Sequence, residues 1–264
     1  MNKKLLGAEI KKLRLEKRLS QKECCAGICS QPLLSHIESG DYMPAADILL
    51  GLLARLGISA ADLTLQSYFP MSPNKSMNAF CETLCRAHDY EKLRDFLLDD
   101  ATIDAVTEAE QTGYFYYLAV AEAQTGDATA ASQNFQLARA ETDKLTLISR
   151  LSDAALGVLA ARKGQKNATV AVFTRAFERL DAAHYDENLN SLYYLKAYSA
   201  HLLHDDLSAL TTLETGIRFI SEHDSHYMLA NFYYLAAQLA TEKSDFLRHS
   251  ALFSSLYHEK IYKV

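Results

Sequence analysis

The stretch "FYYLAVAEAQTGDATAASQNFQLARAE", Phe115 to Glu141, decides the fold. It carries a large residue and a small one, a turn centred on Gly126, then a small residue, an aromatic and a small one. Large and small residues at helical spacing on both sides of a glycine describe two helices folded back on each other. The same order returns in "LGVLAARKGQKNATVAVFTRAFERL", Leu156 to Leu180, with Leu156, Gly157, Ala160, Gly164, Phe173 and Ala176 in the equivalent places. The small-residue position of the second helix falls on Leu93, Ala131, Thr169, Ala209 and His249, at spacings of 38, 38, 40 and 40 residues. Five helix pairs follow.

These offsets resemble the tetratricopeptide repeat, in which small residues let two antiparallel helices approach and an aromatic fills the space between neighbours. The spacing is longer than that family's usual 34, and Leu93, Thr169 and His249 depart from its pattern. The expectation is an all-α chain: a five-helix N-terminal domain over residues 1–66, a linker over 67–75, and a right-handed tetratricopeptide-like domain of about five helix pairs over 76–264. "YFPMSPNKS", Tyr68 to Ser76, holds two of the four prolines and marks the linker.

With 264 residues, 49% of them hydrophobic, the chain buries a sizeable core. It has no run approaching the ~20 apolar residues that cross a bilayer, and "MNKKLLGAEIKKLRLEKR" interrupts its apolar positions with charge, so a cytoplasmic protein without membrane contact is expected. Five cysteines crowd the first third, an odd number that suits a reducing compartment. Their spacing lacks the paired pattern of a zinc site, so neither metal nor cofactor is expected.

The net charge of −6 divides unevenly. Residues 1–66 hold nine Lys/Arg against seven Asp/Glu, or +2, and the remainder 18 against 26, or −8. Seven of those nine cations, Lys11 and Arg18 among them, lie in the first 18 residues. Such clustering favours a phosphate backbone.

This basic head reads as short helices. Leu6, Ile10 and Leu13 give the first, to about Lys17. Ser20 caps a second from Gln21 to Gly27, and a third begins after Ser30, where Pro32 is tolerated in the first turn. Gly40 stops it, Pro44 opens a fourth with Ile48, Leu49, Leu52, Leu53 and Leu56 as its core stripe, and Ser59 caps a last one through Leu65. "SQPLLSHIESG", Ser30 to Gly40, has the look of a helix that enters a DNA groove.

The run from "LGAEIKKLRLEKRLSQKE" through "LLSHIESG" to "DILLGLLARLGIS" resembles the Cro/C1-type helix-turn-helix head of the PlcR-like peptide-responsive regulators, a branch of the Rgg/PlcR/ComR group. The resemblance implies that Gln21 meets a phosphate or base, and that Gln31, Pro32, Leu33, Ser35 and His36 face the groove, with Leu34 and Ile37 in the core. Glu38 is then structural. His36 stands where the family often has Arg. Pro32 and Leu33 offer thymine methyls only apolar contact, so direct reading falls to Gln31 and Ser35. One head binds weakly on this basis, and the resemblance implies a homodimer on double-stranded DNA with two half-sites.

Stacked helix pairs make a concave surface from the first helix of each pair. The repeat offsets point inward Lys75, Asn78, Glu82 and Arg86, then Tyr116, Val120 and Gln124, then Ala154, Val158 and Arg162, then Tyr194, Tyr198 and His201, and last Asn231, Tyr234, Gln238 and Glu242. Tyrosines that cover apolar side chains and amides that pair with a backbone suit an extended peptide, which the resemblance implies is a short signalling peptide. Tyr193 and Tyr233 are expected to pack between helices. No phosphate loop, zinc-protease motif or nucleophile elbow appears, and His223 and His226 lack a partner array, so no enzyme is expected. A partner-gripping scaffold of antitoxin type and a phage-type repressor stand as alternatives.

Overall fold

The computed structural model describes residues 3–57, 69–139, 145–240 and 243–257, and the regular elements in them are helical. The head contributes α1 (Lys3–Glu16), α2 (Gln21–Cys25), α3 (Gln31–Glu38) and α4 (Ala46–Leu56). The expected helix from Ser59 to Leu65, like Tyr68 and Glu242, lies outside the described residues. Ser20 and Glu23 form a reciprocal capping box at the start of α2, and Ser30 caps α3. Pro32 sits in the first turn of α3, where its missing N–H has no intrahelical partner to lose. Leu6, Ile10, Cys24, Leu34, Ile37, Leu52 and Leu56 are buried together. Each large aliphatic there contributes about 1.5–3 kcal/mol relative to exposure.

A buried ion pair ties the head's elements. Arg14 Nε donates to Glu38 Oε1 at 2.5 Å, its Nη2 to Oε2 at 2.9 Å, and its Nη1 to the Leu19 carbonyl at 2.8 Å. Gln21 Nε2 adds a bond to Glu38 Oε2 at 2.9 Å. Burial alone would raise the Glu38 carboxyl, but the bonds from Arg14 and Gln21 hold it below its ordinary range. Arg55 fixes the turn between α2 and α3 by donating to the carbonyls of Glu23 at 2.6 Å and Ala26 at 2.7 Å.

The body pairs α5 (Lys75–Ala87) with α6 (Tyr90–Leu97), α8 (Gln111–Thr125) with α9 (Ala128–Ala138), and α10 (Leu147–Arg162) with α11 (Lys166–Ala176). Then α12 (Asn190–Leu202) pairs with α13 (Asp206–Glu222), and α14 (Leu229–Leu239) with α15 (Ser244–Tyr257). One extra short helix, α7 (Asp100–Asp104), follows the first pair. The expected five pairs are present.

One rule runs through them. A small residue in the first helix is followed sixteen residues later by a large one in the second: Cys81 and Leu97, Ala119 and Phe135, Gly157 and Phe173, Ala197 and Leu213, Ala237 and Phe253. All but the half-buried Phe253 are buried. At Gly157 the fit is tight, since a Cβ there would stand 2.5 Å from the Phe173 ring. Tyr193 packs against Phe177 and Phe219, and Tyr233 against His249 and Phe253.

From Phe69 onward the segment read as a linker is part of the body. Met71 is fully buried, the Phe69 N–H donates to Tyr117 Oη at 3.0 Å, and Ser72 Oγ donates to the Ala105 carbonyl at 3.0 Å. The prolines shape a docked turn, because Asn78 Oδ1 accepts from the N–H groups of Met71 and Ser72 at 3.0 and 3.1 Å. No helix among the described residues is long and apolar enough to cross a membrane.

Gly157→Ala is expected to lower stability by about 1–3 kcal/mol, because the Phe173 ring has to move. Urea unfolding measures this, and an unchanged midpoint would show that the two helices do not depend on that close approach.

Candidate functional site

Two surfaces carry the residues singled out by sequence. On α3, Gln31, Pro32, Ser35 and His36 are exposed on one face, while Leu34 and Ile37 are buried behind it. Leu33 differs from expectation. It is half-buried and packs against the head core, which leaves part of its side chain for any groove contact. His36 Nδ1 lies 3.8 Å from Asp41, whose carboxylate is held below its ordinary range chiefly by a hydrogen bond from Ser39. Lys11 is exposed and its charge helps hold Glu38 ionised. Arg18 is exposed just past α1, in the left-handed conformation with φ 56°. Gln21 is half-buried and commits one amide hydrogen to Glu38, leaving its other amide hydrogen for a partner outside the head.

In the body a cavity of about 260 Å³ opens on the concave side of α8, α10 and α12. Tyr116, Val120 and Gln124 line it from α8, Val158 and Arg162 from α10, and Tyr194 and Tyr198 from α12. Successive residues on one helix are three or four apart, so each helix presents a single face. Tyr194 and Tyr198 stack with ring centroids 6.3 Å apart. Its size falls just under the ~300–1,000 Å³ typical of small-ligand pockets, enough for a few side chains of a longer chain.

Nine of the expected inward positions lie elsewhere, Lys75, Glu82, Arg86, Ala154 and His201 among them. Asn78 holds the Met71–Ser72 turn and also donates to the Ser72 carbonyl at 2.8 Å. Asn231 is buried beside Met228, and Tyr234 and Gln238 on α14 do not reach the cavity. The first pair contributes Tyr90 from its second helix instead. Sequence reasoning also missed Phe135, Leu151, Leu195, Asn188, Tyr227 and Met228. The last three lie at the irregular connections before α12 and α14, where no period points to them.

A polar cluster supports this wall. Glu187 is buried and accepts from Ser225 Oγ at 2.8 Å, while Asn190 Nδ2 donates to the Tyr227 carbonyl at 3.2 Å. The Tyr227 N–H donates to Ser225 Oγ at 3.2 Å, and Met228 follows with φ 72°. Burial pushes the Glu187 carboxyl up, partly opposed by the Ser225 bond. Among the described residues no group of His, Cys, Asp and Glu is arranged to hold a metal.

A carboxyl raised by folding contributes stability in its protonated form, fully present in acid and lost as pH rises through the elevated value. Glu187→Gln keeps the neutral form at every pH. It is expected to match the wild type near about pH 4 and to melt higher near about pH 8. Thermal melts at both values check this, and parallel losses in the two proteins would exclude Glu187 as their source.

The helix-turn-helix family model matches residues 10–63. None of the curated proteins compared matches the chain. Among solved structures, Bacillus thuringiensis PlcR in complex with the peptide PapR7 and DNA is 21% identical, with a TM-score of 0.60 over 97% of this chain and 96% of that one. The apo form of PlcR is 18% identical, with a TM-score of 0.56 over 97% and 96%. Residues 10–63 are therefore a domain of the helix-turn-helix family, borne on a chain that shares the fold of PlcR.

Proposed function

We propose that this chain is a cytoplasmic, non-enzymatic transcription regulator of quorum-sensing type, a homodimer on double-stranded DNA with two half-sites, controlled by a short peptide held in the concave cavity. The observation that carries the reading is the joining of two surfaces in one chain: the exposed face of α3, and a tyrosine-walled cavity in the repeat body. The fold shared with PlcR, which was solved with a peptide and DNA, supports the same pairing of ligands.

In this reading Gln31 pairs with an adenine edge, Ser35 reads a neighbouring base, Pro32 and the exposed part of Leu33 touch thymine methyls, and His36 lies along the backbone. Lys11, Arg18 and the remaining amide hydrogen of Gln21 meet phosphates. Each bidentate base contact is worth about 1–3 kcal/mol of discrimination, so one head is weak and two at fixed separation are specific. In the body, Tyr116, Gln124, Arg162, Tyr194 and Tyr198 hold the peptide. Asn78, Asn231, Tyr234 and Gln238 are not assigned to it. The peptide controls the protein to the extent that it binds one arrangement of the two heads better than another.

DNA binding by the purified protein, with and without candidate peptides, tests the reading. Absence of a salt-sensitive, sequence-specific complex under both conditions would end it. Gln31→Ala is expected to lose about 1–3 kcal/mol of preference at one base pair. Lys11→Ala is expected to weaken all sequences alike and to reduce the salt slope by about one. Titrations against operator variants at several salt concentrations separate the two effects.

A further inference from the structure

The cavity is aromatic and aliphatic except for a few amides and hydroxyls, and Arg162 carries the one formal charge among its lining residues. Arg162 ends α10, is exposed, and makes no ion pair among the described residues. The partial negative charge at the helix end offsets it only in part. Four other cations of the body do have carboxylate partners. Arg175 and Arg139 flank Asp153, Arg94 lies beside Asp95, and Lys92 pairs with Asp89.

From this we infer that the cavity selects a peptide bearing a carboxylate, which Arg162 receives while apolar side chains fill the space between Tyr116, Leu151, Leu195 and Tyr198. The inference rests on the peptide reading above and adds the chemistry of its ligand. One planar guanidinium matches one carboxylate in a two-bond fork. A phosphate group would bring more charge than a single guanidinium neutralises, and a cationic peptide would meet repulsion where the cavity is otherwise neutral. In a body of net negative charge this cation is a selective feature of the cavity, because among the lining residues an acidic ligand finds its favourable charge contact at Arg162. The carboxylate has two sources, an acidic side chain or the peptide's own C-terminus.

The protein contains no tryptophan, and five tyrosines line the cavity, so a tryptophan in a bound peptide is reported by energy transfer from them. The probes are pools of apolar heptapeptides with one tryptophan, made with one internal Glu or Gln and with the C-terminus as free acid or amide. Full-length protein is expected to bind an acid-bearing pool about tenfold more tightly than the doubly neutral pool, and the arm that carries the gain identifies the source. Arg162→Gln should bring all four pools to the neutral affinity with an unchanged thermal melt, while Arg162→Lys keeps part of the preference. Equal binding of all four pools by the wild type, or a preference that survives in Arg162→Gln, overturns the inference and leaves peptide binding standing. Binding of none of the pools removes the peptide reading, and the inference with it.

Discussion

The body depends on a contact in which a side chain is missing. Where Gly157 faces Phe173, or Ala119 faces Phe135, the first helix of a pair offers almost nothing to the second, and a large side chain lies directly on its backbone. That sets how near two helices come within a pair, and the sixteen-residue interval sets where along them the contact falls. Gly216 extends the same economy from a pair to its neighbour, since a Cβ there would run into Tyr193 of its own pair and Phe232 of the next. With each pair seated on its neighbours, the first helices line up along the inner side. The cavity is a by-product of this regular stacking, made specific by the tyrosines on it.

In the head the decisive interaction is polar. Taking Arg14 and Glu38 out of water is costly, and the two-bond geometry is supported by a further bond for each partner, to the Leu19 carbonyl for one and from Gln21 for the other. The pair joins α1, the turn after it, α2 and α3, so the angle at which α3 presents its outer face is fixed from beneath. Arg55 does similar work from α4 by closing the α2 turn. The face itself then offers few polar side chains, and on the proposed reading specificity comes from the separation of two such faces.

Much of this was legible in the sequence, for identifiable reasons. The five pairs showed because glycine turns and small residues recur at nearly fixed intervals. Tyr116, Gln124, Arg162, Tyr194 and Tyr198 reach one cavity because an α-helix turns by a constant angle, so one correct inward position implies those three or four residues away. Asn78 and Asn231 failed where helical period was no guide to hydrogen bonding: one holds a turn, the other is enclosed beside Met228. Asn188, Tyr227 and Met228 were invisible because connections have no period at all. Gln21 was placed correctly at the start of α2, but its partner Glu38 is 17 residues away. Only the fold brings them together.

The division between the two sides of α3 bears on how such a protein diversifies. Leu34, Ile37 and Glu38 face inward and are fixed by core and ion pair, whereas Gln31, Ser35 and His36 face outward and hold nothing up. Duplicated copies of the gene are thus free to drift at the outward positions and acquire new target sequences without passing through an unfolded intermediate. The cavity allows the same in the body, since Gln124 and Arg162 line it while remaining exposed. On the proposed reading target and signal are then separately mutable, and a lineage can change either conversation while keeping the other.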